Sequence, residues 1–168
     1  GKFRLALILI YFLMRRNDKE IRDKDIIEQL LSGSDICRIA MIDEKRPYIV
    51  PLNYGYADRA LYFHSAPAGK KIDILKQNNR VCFEIEYYNE IIRDEVPCEW
   101  TAKYRSLIGY GTIEFITGHE EKKKGLDVIM AHYGKTGVNT YKDNHIENII
   151  ILKLNIEEIS GKQSGDWE

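Results

Sequence analysis

The sequence predicts a mainly β (α+β) domain, a six-stranded antiparallel barrel with peripheral helices. Three observations lead there. Short apolar runs are joined by tight turn signals, Asp43 to Pro47 and Asp58-Arg59. VCFEIEYY (81–88) alternates Val81, Phe83, Ile85 and Tyr87 with Cys82, Glu84 and Glu86, the period of a half-buried strand. No strand–helix–strand rhythm runs along the chain, and a closed antiparallel sheet is the arrangement that removes exposed edges.

Taken in order, the segment from Met14 to Asp25 is densely charged with mixed signs and reads as an exposed lead-in. DIIEQLL places Ile26, Ile27, Leu30 and Leu31 on one helical stripe, with Asp23 or Asp25 as N-cap and Gly33 as the stop. ICRIAMI (36–42) and YIVPLNYGY (48–56) read as strands, and Pro51 inside the second implies an edge or a bulge. ALYFHS (60–65) is a third strand, and KKIDILKQN after Pro67 and Gly69 is a short helix with Ile72 and Leu75 inward. Strand 81–88 is followed by a loop over 89–99. Residues 101–117 suit one bent strand or two, with Gly109 and Gly111 at a bulge. EEKKKGLDVIMAHYG reads as a helix despite Gly125, a polar loop runs through Asn144, and 148–159 is the last strand.

The chain of 168 residues suits one domain, and 44% hydrophobic residues suffice for a packed core. A net charge of -1 and a pI near 6.5 speak against a general nucleic-acid binder. Cys37, Cys82 and Cys98 form an odd set without a C-x-x-C pair, so a reducing, cytoplasmic compartment fits better than a disulfide framework. His64, His119, His132 and His145 are scattered, and no metal site is indicated. The apolar run 3–14 is too short to span a membrane. It packs on the domain or a subunit contact, precedes a natural start at Met14, or serves secretion. No membrane partner is expected.

Chemistry concentrates in LYFHSAPAGKKIDIL, residues 61–75. A hydroxyl at Ser65, ammonium groups at Lys70 and Lys71, and free N–H groups at a helix start suit a phosphate monoester. The alternative is a plain turn before a solvated basic helix. CEWTAKYRSLIGYG (98–111) offers an aromatic wall of Trp100, Tyr104 and Tyr110 with donors at Arg105 and Ser106, or else ordinary core aromatics. PLNYG places a prolyl kink beside Asn53 and Tyr54, a site or a simple bulge.

In order and spacing, P-Y-I-V-P-L-N-Y-G, L-Y-F-H-S-A-x-x-G-K-K-I-D and C-x-W-x-x-K-Y-R-S-L-I-G-Y-G resemble the nitroimidazole-resistance (Nim-type) flavoproteins. Those belong to the pyridoxamine 5′-phosphate oxidase-like superfamily of FMN-binding split β-barrels. The resemblance runs from Met14 to about Lys162, includes LDVIMAHYG, and leaves residues 1–13 as an extension ahead of a single domain, 14–168. It makes His132 a structural residue. It implies that Ser65, Lys70 and Lys71 hold a flavin phosphate, with the ring along Pro51, Leu52 and Asn53. It further implies that Trp100, Tyr104 and Ser106 reach the site from the partner of a homodimer. FMN is the cofactor implied; FAD shares the same ring-proximal phosphate. The implied reaction passes electrons to a small nitroaromatic acceptor. His64 is either the acid beside the cofactor or a strand-end residue hydrogen-bonded to a neighbour. Two other readings of the superfamily remain: a pyridoxamine 5′-phosphate oxidase-type enzyme, and a non-catalytic flavin or haem binder.

Overall fold

The computed structural model describes residues 16–167; the extension 1–13 lies outside the described residues. A 3-10 turn (Asn17–Lys19) leads into β1 (Glu20–Ile21) and α1 (Lys24–Gly33). Then come β2 (Ile36–Asp43), β3 (Arg46–Asn53), β4 (Gly55–Ala57), β5 (Ala60–Ser65) and α2 (Lys70–Gln77). The second half holds β6 (Arg80–Ile92), β7 (Thr101–Ile116), α3 (His119–His132), α4 (Asp143–Glu147) and β8 (Ile150–Ser164).

The eight strands form one antiparallel sheet ordered β3-β2-β6-β7-β8-β5-β4, with β1 on the far half of β8. The end strands β3 and β4 are joined by the chain at Tyr54 rather than by a ladder, so the barrel is split along this seam. The count is eight strands, not six. Glu20–Ile21 is too short to show a period, yet Ile21 is only 2% exposed, so the lead-in is not wholly solvated. The second additional strand, β4, is cut from the run 48–56 by the break at Tyr54.

Local chemistry explains most boundaries. Asp23 caps α1, its Oδ1 accepting from the Asp25 N–H at 2.8 Å, and Ile27, Leu30 and Leu31 are buried. Asp58 and Arg59 both have positive φ, 49° and 61°, the conformation a two-residue hairpin needs. The turn after β2 is tighter than expected, only Glu44 and Lys45. This leaves Pro47 and Pro51 in β3, an end strand of the ladder that tolerates the missing N–H groups.

The core lies inside the curl: Ile39 and Met41 from β2, Phe83 and Ile85 from β6, Leu107 from β7, Leu152 and Leu154 from β8, and Phe63 from β5. A Cβ at Gly109 would sit 2.4 Å from the Phe83 ring, so glycine admits that ring. The bulge falls between Tyr110 and Gly111, against β8, and β7 is one continuous strand. Gly125 is explained likewise: it lets α3 lie on Ile151 of β8, whose Cγ2 would be 2.9 Å from an added Cβ.

Four further segments differ from the sequence reading. Residues 89–92 belong to β6, held to β7 through Ile92↔Thr101 in a hairpin arm that outruns the barrel. Tyr87 is 46% exposed because a register shift between Glu86 and Tyr88 turns the strand there, and its ring lies over Gly33. The polar loop contains α4, and the last strand runs from Ile150 to Ser164.

Candidate functional site

The seam opens into a groove of about 510 Å3. One wall is β3, with Tyr48, Val50, Pro51 and Leu52; the other is the end of β5 and the start of α2, from His64 to Ile72. Pro51, Leu52, His64, Ser65, Lys70 and Lys71 therefore share one groove. Asn53, Trp100, Tyr104 and Ser106 do not line it within a single chain.

At its basic end, α2 has no side-chain N-cap. The first intrahelical bonds come from Ile72 and Asp73, whose N–H groups both donate to the Gly69 carbonyl at 2.9 and 3.1 Å. The N–H groups of Lys70 and Lys71 precede these bonds and have no acceptor within the helix. Gly69 has φ +125°, a conformation essentially limited to glycine, and turns the chain into the helix.

The two lysines are not equivalent. Lys70 Nζ pairs with Asp43 at 2.8 Å and stands 4.8 Å above the Tyr48 ring; Asp43 raises its pKa. Lys71 is half-buried and has no ion pair among the described residues, and burial lowers its pKa. Ser65 is buried, and its hydroxyl donates to the Ala66 carbonyl at 3.0 Å. An ammonium partly stripped of water, with a hydroxyl and two N–H groups that have no acceptor within the helix on the same groove, could hold a dianion. The residues fit a flavin phosphate.

His64 projects outward from β5 between two grooves and has no hydrogen-bond partner among the described residues. The adjoining groove is lined by Leu126, Tyr141, His145 and Ile149. The sequence reading missed His145, together with Asp43 and Tyr48. Asp43 and Tyr48 meet Lys70, and His145 meets the adjoining groove, through tertiary packing that no local spacing marks.

The aromatic segment lies on the β6–β7 arm. Trp100 is half exposed, its Nε1 donating to the Asp94 carbonyl at 2.7 Å. Tyr104 pairs with Asn89 and Ser164 across its neighbouring strands, and Lys162 lies 5.9 Å from its ring. Ser106 is opposite Glu86 and Lys162. Asn53 sits behind the groove, its Nδ2 donating to the Asp35 carbonyl and to Tyr133 Oη, both at 3.2 Å. His132 is held in the fold, as expected: its Nε2 donates to the Ser34 carbonyl at 2.7 Å.

Among the described residues no cluster of three or more His, Cys, Asp or Glu is placed to hold a metal. None of their helices is long and apolar enough to cross a membrane.

A split antiparallel barrel defines a class of fold, and the comparisons agree with it. The profile of the pyridoxamine 5′-phosphate oxidase family matches residues 23–163, and the chain belongs to that family. It is similar to a solved protein of Bacteroides thetaiotaomicron named for 5-nitroimidazole antibiotic resistance, with 35% identity over 85% of each chain and a TM-score of 0.76. A FAD- and haem-binding protein of Mycobacterium smegmatis shares the fold at 19% identity, over 89% of this chain and 75% of that one, with a TM-score of 0.79. An uncharacterised protein of Rhizobium meliloti is 31% identical over 65 residues, which span 39% of this chain and 42% of that protein.

Proposed function

We infer that the groove binds a flavin, FMN in the simplest case, and that the chain is an oxidoreductase of the nitroreductase type, acting in the cytoplasm. The observation that supports this most is Lys71, a half-buried ammonium on the same groove as Ser65, with no counter-ion among the described residues. Ser65 exchanges its bond to the Ala66 carbonyl for a phosphate oxygen, while Lys71 and the first N–H groups of α2 supply further donors. Pro51 and Leu52 line the place for the ring. Bound there, a flavin supplies the electrons, and the protein holds and tunes it.

For this chain's own residues the remaining task is proton delivery. His64, exposed beside the ring's groove, donates a proton from its imidazolium N–H to an oxygen of the nitro acceptor. Anaerobic photoreduction of the flavin-loaded protein, then addition of a nitroimidazole, tests the reaction. Reoxidation with loss of the nitro group is expected; reduced flavin that persists in its presence removes the nitroreductase reading.

The burial of Lys71 sets a pH dependence. Its ammonium pKa lies below 10.5 in the free protein, and a bound phosphate raises it again. Affinity is therefore full while Lys71 is protonated, and fades as pH climbs through the lowered pKa, earlier than for an exposed lysine. On the acid side it fades below about pH 6, where a phosphate monoester dianion takes up a proton and becomes a monoanion. Equilibrium titrations across pH check this shape; an affinity flat up to the range of ordinary lysines contradicts the role of Lys71.

The active form on this reading is a homodimer. The outer sheet face exposes Ile42, Ile49 and Ile108, and the β6–β7 arm exposes Ile91, Val96 and Trp100, large apolar side chains that a partner subunit would cover. Trp100, Tyr104 and Ser106 then reach the partner's groove. Flavin retention is expected to depend on dimerisation. Sedimentation that finds a monomer holding one flavin per chain speaks against this arrangement.

A further inference from the structure

Tyr133 caps the C-terminus of α3, and its hydroxyl occupies an unusual place in the sheet. The β2–β3 ladder runs from Asp43↔Arg46 to Ile36↔Asn53. The next rung would join Asp35 and Tyr54, and it is bridged instead. The Tyr54 N–H donates to Tyr133 Oη at 3.1 Å, and that hydroxyl donates to the Asp35 carbonyl at 2.5 Å. The Asn53 side-chain amide donates to the same two oxygens. One phenol thus bridges the rung, and the chain leaves β3 at this point to cross the seam into β4.

The phenol is itself held. The His132 ring meets the Tyr133 ring edge-on at 5.1 Å and lies 4.5 Å from the ring of Tyr54. The Tyr54 side chain is fully buried, and its hydroxyl donates to the Leu31 carbonyl at 2.7 Å. The ends of α1 and α3 therefore grip Asn53 and Tyr54 from behind, while Pro51 and Leu52, just upstream, line the groove. We propose that Tyr133 is a positioning residue, a hydroxyl wedge that ends β3 and fixes the Leu52–Asn53 peptide where a flavin ring lies along it. The proposal rests on the flavin reading of the groove. Without the hydroxyl, the Tyr54 N–H and the Asp35 carbonyl turn to water, which releases the peptide that faces the ring. Tyr133 is 41% exposed, so water can replace part of what the hydroxyl does for folding, while the peptide's position is lost.

Tyr133→Phe keeps the ring and removes the wedge. Tyr56→Phe, which removes a hydroxyl bonded to Glu28 away from the groove, serves as control. In the flavin-free chain, amide exchange at Tyr54 is expected to quicken at least tenfold in Tyr133→Phe, with Phe83 and Leu152 unchanged. In the loaded chain, FMN affinity falls at least fivefold and the visible circular dichroism of the bound flavin shifts; Tyr56→Phe alters neither. Asn53→Ala, which strips one donor from the same hub, gives the same pattern to a smaller degree and stands in should Tyr133→Phe not fold. Unchanged Tyr54 protection overturns the wedge. Faster exchange with wild-type flavin affinity and dichroism overturns the positioning role. A wild-type chain that takes up no flavin, while Tyr54 exchange still depends on Tyr133, overturns the flavin reading and leaves the wedge supported.

Discussion

The double substitution Lys70→Ala with Lys71→Ala is expected to weaken FMN binding by about 2 to 4 kcal/mol, roughly 30- to 700-fold. Two charge-assisted contacts to one phosphate are removed at once, and the structure divides the loss between them unequally. Lys70 is exposed and already paired with Asp43 at 2.8 Å, so turning to the phosphate exchanges one ion pair for another in water. Its single variant should cost little, as exposed ion pairs do. Lys71 gives up nothing when an anion arrives, and the anion relieves its burial. Lys71→Ala should therefore account for most of the double effect. Fluorescence titration of the folded variants measures each step. Equal losses from the two lysines would refute the division, and an unchanged affinity in the double variant removes the cradle.

His64→Gln is expected to leave flavin occupancy near wild type and to slow nitro-dependent reoxidation at least tenfold, about 1.4 kcal/mol of barrier. General acid help is typically worth about 10²- to 10⁴-fold, because each two-electron step of nitro reduction also consumes protons. The competing role for a histidine at a strand end is a hydrogen bond that supports the fold. The side chain is exposed and makes no hydrogen bond among the described residues, which leaves little for a supporting role to lose. A purely structural His64 would show the opposite signature, with lower stability and occupancy and normal turnover per bound flavin. Stopped-flow reoxidation at matched occupancy separates the two, and a wild-type rate takes His64 out of the mechanism.

The basic end of the groove was more legible in the sequence than its far wall, and the reason is chain distance. Ser65, Gly69, Lys70 and Lys71 lie within one turn, so their grouping needs only a strand end, a glycine and a helix start. Asp43 and Tyr48, which set the state of Lys70, arrive from the β2–β3 hairpin across the groove. Nothing in their own neighbourhood announces the contact. The same holds for Tyr133, whose role exists only because the rung between Asp35 and Tyr54 is left open.

Strand extent and strand number were missed on similar grounds. The alternation in 81–88 announced a half-buried strand, but NEII at 89–92 is exposed on every side and is held by its ladder to β7, so no burial period marks it. Two-residue β1 gives no period at all. Where side-chain burial defined an element, as in α1 or the core of β6, the pattern was readable.

The central claim is that the groove on the seam receives the phosphate of a flavin, and phosphorus NMR of the reconstituted protein addresses it most directly. One FMN taken up per chain and a phosphorus resonance displaced from its free position are expected. The bound phosphate is expected to stay dianionic to a pH below its usual second ionisation near 6, because protonated Lys71 and the first N–H groups of α2 favour the doubly charged form. Lys71→Ala should return that titration toward the value of free FMN. A folded chain that leaves the phosphorus signal at its free position, titrating as it does in buffer, would contradict the account.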